Sequence, residues 1–182
     1  MAYLLRTLIL LVLVGLVTVI LSAHGYVLTE NYNHLGLAIP FFIFTIFVQA
    51  FVMFYFIGVS RFTKNIYEIV YTENKIEDLF DEKPEDLKPY IEKSRKFVFD
   101  TDTFKRQTIP WTMLILTLGT IAFLLGGAHD TNLVDKHIHS GVAYGFFGAN
   151  IIGFFRQWIY LKKAHILLRK IKTLFTLPDG QM

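Results

Sequence analysis

Apolar residues fall in four long runs, and the charged residues gather between and after them. The runs are roughly Leu4 to Ala23, Gly36 to Val59, Ile109 to Ala128 and Ser140 to Leu161. Each holds about twenty residues, enough at 1.5 Å per residue to cross a hydrocarbon layer about 30 Å thick. The second run is apolar all round: Phe41, Phe42, Phe44, Phe47, Phe51, Phe54, Tyr55 and Phe56 leave no wet face, which suits lipid and bulky neighbours. Pro40 and Pro110 stand near the starts of the second and third runs, where a missing N–H costs little. A signal peptide over the first run would have only Arg6 as its basic region and bulky Leu21 where a small residue is preferred. The pattern predicts an all-α integral membrane protein with four transmembrane helices.

Between the second and third runs, residues 60–108 carry ten Lys/Arg and eleven Asp/Glu, interspersed, with Pro84 and Pro89 as breakers. Arg61 to Asn74 reads as an extension of the second helix, and Lys83-Pro84-Glu85-Asp86 as a new helix start. A short helical hairpin is expected here rather than a separate domain, with a mostly solvated face. The tail, Lys162 to Phe175, interleaves basic residues with Ile166, Leu167, Ile171, Leu174 and Phe175. Such a helix suits anionic headgroups, or it packs on the 60–108 segment. The chain therefore divides into a first hairpin (1–59), a helical connection (60–108), a second hairpin (109–161) and a basic amphipathic tail (162–182).

Orientation follows from the basic residues. The 60–108 connection has ten Lys/Arg and the stretch from Arg156 onward six, whereas the two short connections hold only Lys136. The positive-inside rule makes both termini and the connection cytoplasmic in a plasma (inner) membrane, with both tips outward.

The tips carry an internal repeat. Ala23-His24, nine residues, then His34-Leu35-Gly36-Leu37-Ala38 is matched 105 positions later by Ala128-His129, nine residues, then His139-Ser140-Gly141-Val142-Ala143. Both copies obey A-H-x9-H-x-G-x-A, and Glu30 matches Asp135. The register extends to Thr7 with Thr112 and Phe41-Phe42 with Phe146-Phe147. The spans thus read as two tandem, pseudo-symmetric helical hairpins.

This repeat is the strongest sign of chemistry. Five of six histidines fall at the tips, and His24, His34, His129 and His139 share one expected depth. Imidazole is the common ligand of zinc, copper and iron, and axial pairs hold haem b. These four are the candidate cofactor or metal ligands, with His137, Asp130, Glu30 and Asp135 as secondary members or as carboxylates orienting the rings. For one interfacial histidine the plain reading, a helix end bonded to loop carbonyls, is the stronger; duplication in register moves the balance to a ligand site. His165, outside the tips, reads as an ordinary residue. Haem b is the leading cofactor and copper or zinc the alternative; a chlorophyll held by one histidine also fits.

Deeper in the spans, Thr45, Gln49 and Asn150 need polar partners. Gly141, Gly145, Ala149 and Gly153 follow at four-residue spacing, a stripe for close helix packing or for a flat cofactor.

Composition narrows the rest. At 53% hydrophobic residues and a net charge of +3, the chain has lipid for its solvent, and nucleic-acid binding is not expected. Zero cysteines exclude disulfides, thiolate ligands and c-type haem attachment. No nucleotide-binding, serine-hydrolase or zinc-protease motif occurs, so no enzyme class is assigned. The expected function is electron transfer between an outer-face donor and a quinone or partner subunit. The alternatives are a cofactor-free structural subunit, packing with other membrane subunits or a second copy, and a protein that handles copper or zinc.

Overall fold

The computed structural model describes residues 1–26, 34–80 and 84–175. Among them are four α-helices, α1 (Ala2–Ala23), α2 (His34–Thr72), α3 (Lys88–Asp130) and α4 (Lys136–Phe175), with a 3-10 turn at Ile76–Asp78 and no strand. All four are long and apolar enough to cross a membrane. Each packs on its neighbours in chain order and α4 closes on α1, so the ring runs α1, α2, α3, α4. Neighbours are antiparallel: along the α3–α4 seam, Gly126 meets His139, Gly119 meets Phe146, and Tyr90 meets Phe175.

The helices differ in length for a reason visible in their composition. With 22 residues, α1 measures about 33 Å, close to the membrane thickness, while α2, α3 and α4, with 39, 43 and 40 residues, run to about 60 Å. Their surplus projects from the end opposite the tips. A belt marks where they leave the apolar layer: the Arg6 guanidinium lies 3.9 Å from the Trp158 ring, and Arg156 lies 5.4 Å from Trp111 while donating to Gln107 Oε1 at 2.7 Å. From Arg6 to Ala23 is about 26 Å of helix, close to one hydrocarbon thickness. Between belt and tips the outward faces are apolar, as at Leu10, Val14, Phe47, Phe51, Phe54, Leu124, Ile152 and Phe155. Only lipid tails or apolar neighbours suit such a surface.

The interior follows one repeat throughout. On α2 the buried positions are Thr45, Val48, Gln49, Val52, Phe56, Val59, Ser60, Thr63, Ile66 and Val70. This spacing of three and four is that of left-handed knobs-into-holes packing. It passes without a break from the apolar span into the charged extension. There the apolar positions of the tail turn inward: Leu167, Ile171 and Phe175 are buried, and Phe80, Tyr90 and Phe175 pack ring against ring at the far end. The basic side chains Lys162, Lys163, Arg169 and Lys170 remain exposed.

Two local expectations change. Pro110 does not open a helix; it lies well inside α3, which begins at Lys88 with Pro89 in its first turn. A helix carries a proline when tertiary packing on both sides outweighs the lost hydrogen bond; Phe104, Thr108, Thr112 and Ile115 are all buried around it. The charged connection is likewise not a hairpin of its own, because its two arms are the ends of α2 and α3.

The glycine stripe also divides. Steps of four residues advance 40° beyond a full turn, so Gly141 and Gly153 face directions about 120° apart. Gly153 is buried, and a Cβ there would meet Ile115 Cδ1 at 2.6 Å. Gly141 and Gly145 are exposed, with open space where a Cβ would stand.

Candidate histidine site at the tips of the bundle

The short connection 131–135 is built by its own polar groups. Thr131 caps α3, with its hydroxyl donating to the carbonyls of Gly127 and Ala128, and Asn132 takes a left-handed backbone at φ 59°. Asp135 starts α4: its Oδ1 accepts from the His137 backbone N–H at 2.7 Å, and its carbonyl accepts from Ile138 and His139. That carboxylate therefore caps a helix, and His137 enters through its backbone, with its side chain exposed. Asp130 ends α3 and is exposed. Glu30 lies outside the described residues.

The four principal histidines have different surroundings. His24 follows α1 and is exposed; its Nδ1 bonds the Ile20 carbonyl at 2.9 Å and its Nε2 bonds Tyr144 Oη of α4 at 3.1 Å. His34 starts α2 and bonds the buried Ser22 hydroxyl through Nδ1 at 3.2 Å. His129 lies in the last turn of α3 with Nδ1 3.3 Å from the Val134 carbonyl. His139, four residues into α4, holds its Nδ1 buried and without a hydrogen-bond partner, against the backbone of Gly126.

Two of the four come together. The rings of His129 and His139 are 9° from parallel, with centroids 6.2 Å apart. His24 joins Tyr144 instead, and His34 joins Ser22. Among the described residues no three His, Asp or Glu side chains are grouped to hold a metal ion. No known family, curated protein or solved structure matches the chain.

The packing of the helices holds a relation the sequence repeat does not express. Phe41 of α2 sits over Gly15 of α1, and Phe146 of α4 over Gly119 of α3. His34 meets Ser22, and His139 meets Gly126. The α2 and α4 residues of these contacts are 105 positions apart, and the α1 and α3 residues 104. One residue on a helix is about 100° of rotation, so His24 turns to Tyr144 whereas His129 turns to His139.

A second polar centre lies near the Arg/Trp belt. Gln157 Nε2 donates to Gln49 Oε1 at 2.6 Å and to Thr112 Oγ1 at 3.1 Å, all three residues being buried. Gln49 is an expected polar position, but Gln157 and Thr112 are not. Gln157 lies between Arg156 and Trp158, where a polar residue reads as interface; its position seven residues after Asn150, on the same face, is the signal that places it inside.

Proposed function

We propose that the protein is an electron-transfer subunit of the membrane, with His129 and His139 as the axial ligands of a b-type haem near the tip end. The observation that carries this reading is the His129–His139 pair. These two rings stand on different helices with centroids 6.2 Å apart, and they would hold the iron through ring nitrogens turned toward one point between them. Two imidazoles suffice for a haem iron, whereas zinc takes three or four protein ligands; haem is thus preferred to copper or zinc. The duplicated hairpin belongs to the same reading, supported by the paired phenylalanine–glycine contacts. So does the orientation: plasma membrane, both termini and the charged extension cytoplasmic, tips outward to a redox donor, and a quinone or partner subunit as acceptor.

The hydrogen bonds of His24 and His34 favour a second reading, a cofactor-free structural subunit whose histidines finish its helices and tie α1 to α4. An absorption spectrum of protein purified after haem-supplemented expression separates the two. The haem reading expects a Soret band that His139→Ala and His129→Ala remove, while His24→Ala and His165→Ala leave it. A wild-type protein without that band is the structural subunit.

A further inference from the structure

From the extension to the middle of the spans the bundle interior is polar at intervals. Beyond the belt, Asp102 is the mouth: part-exposed, accepting from the Ser60 hydroxyl at 2.9 Å, beside the buried pair Thr63–Thr101, whose hydroxyls are 2.8 Å apart. Thr108 follows two turns along α3, and one turn further stands Thr112 with the Gln49–Gln157 pair. A turn above Gln49 on α2 is Thr45, and at the matching place on α4 is Asn150; both are buried. Above this layer the polar series stops at Phe41 and Phe146, to whose carbonyls Thr45 and Asn150 are bonded. Two turns above Phe146, on the same face of α4, is His139.

Within this column Gln157 Oε1 is buried with no partner near the belt, and beyond its two ends so are Ser94 Oγ in the extension and His139 Nδ1 at the tips. Buried polar atoms in a membrane bundle call for a partner, and water is the one small enough to reach all three. Hydroxyl and amide groups that accept and donate are also what a file of water needs to pass a proton. Bulky aromatic layers close such files by excluding water.

We propose that this column is a proton pathway, entered at Asp102 and closed below the histidines by the buried Phe146 ring. No bond to carbon forms or breaks; a proton entering at one end displaces one at the other along hydroxyl, amide and water. The pathway stands on the buried column alone and does not depend on a haem.

Liposomes containing the purified full-length protein, an internal pH-sensitive dye and a valinomycin-set potassium gradient test it. Phe146→Ala should raise proton flux about tenfold or more over wild type, since it removes the aromatic barrier. Thr112→Val added to that variant should lower the flux several-fold, because it replaces a hydroxyl with a methyl of the same shape. Flux in Phe146→Ala no faster than wild type overturns the pathway. So does flux unaffected by Thr112→Val, or a leak that passes sodium as readily as protons. If Phe146→Ala does not fold, solid-state NMR of the wild type in lipid decides. Magnetisation transfer from water to the Gln49 and Gln157 side-chain amides is the expected result, and dry amides overturn the proposal.

Discussion

Gln157 Nε2 donates to Gln49 Oε1 at 2.6 Å, joining α4 to α2 across the diagonal of the bundle, where the two helices otherwise scarcely touch. In lipid there is no hydrophobic drive between helices, so side-chain hydrogen bonds and close packing set which faces meet. Gln49→Leu should therefore destabilise the bundle by about 1–2 kcal/mol, since it also leaves Gln157 short of a partner. Unfolding in mixed detergent micelles measures it. A variant as stable as wild type would mean that the pair only fills space.

The four spans are legible in the sequence because apolar runs of twenty residues have one stable form in lipid, the helix. The charged connection is legible as helical but not as continuous: Pro84, Pro89 and Pro110 all read as punctuation. Only the packing around Pro110 shows that α3 runs through it. The histidines illustrate the same boundary. Their repeat is plain in sequence, yet a one-residue difference in how α1 and α3 meet their partners turns His24 and His129 in different directions. Such a rotation follows from Phe41 seating at Gly15 and Phe146 at Gly119, contacts between distant residues that no local pattern encodes.

The extension depends on pH through Asp102. Burial raises its pKa, but the Ser60 hydroxyl and the ammonium groups of Lys105 and Lys64, 3.1 and 3.2 Å away, outweigh that and hold it below the ordinary carboxylate value. A depressed folded-state pKa stabilises at any pH above the unfolded value, about 3.9, and the contribution is lost as pH falls through the folded value. Asp102→Asn should thus cost a constant amount, no more than about 1 kcal/mol for so accessible a pair, from pH 8 down to about 5. The cost should vanish only in stronger acid. Thermal melts across that range check it, and a difference that fades between pH 7 and 6 would assign the effect to another group.

Topology can be read cleanly because the chain has no cysteine of its own. Single cysteines at Asn132 and at Asn65 should label from opposite sides of intact cells, Asn132 from outside. Labelling of Asn65 from outside would reverse the orientation and move the histidine pair to the cytoplasmic face.

Glycines separate packing from cofactor seating. At Gly15 a Cβ would run into the Phe41 ring, and at Gly119 it would stand 2.8 Å from Phe146 Cε2. Gly15→Ala should cost about 1–3 kcal/mol through overpacking, and Phe41→Leu in the same chain should return part of it. Gly145 has open space instead, so Gly145→Ala should be neutral or gain up to about 1 kcal/mol from helix propensity. A larger side chain there tests which face of α4 a cofactor could use. Gly145→Leu should leave the unfolding transition of the apoprotein near wild type, because its side chain meets nothing in the bundle. Gly145 is turned about 120° from His139 around α4, and His139 packs toward Gly126 of α3, so a haem held by the histidine pair should bind Gly145→Leu within about twofold of wild type. Titration of haem into the purified apoprotein, followed at the Soret band, measures this directly. Affinity lowered about tenfold or more in Gly145→Leu would place the cofactor on the open glycines and away from the His129–His139 pair.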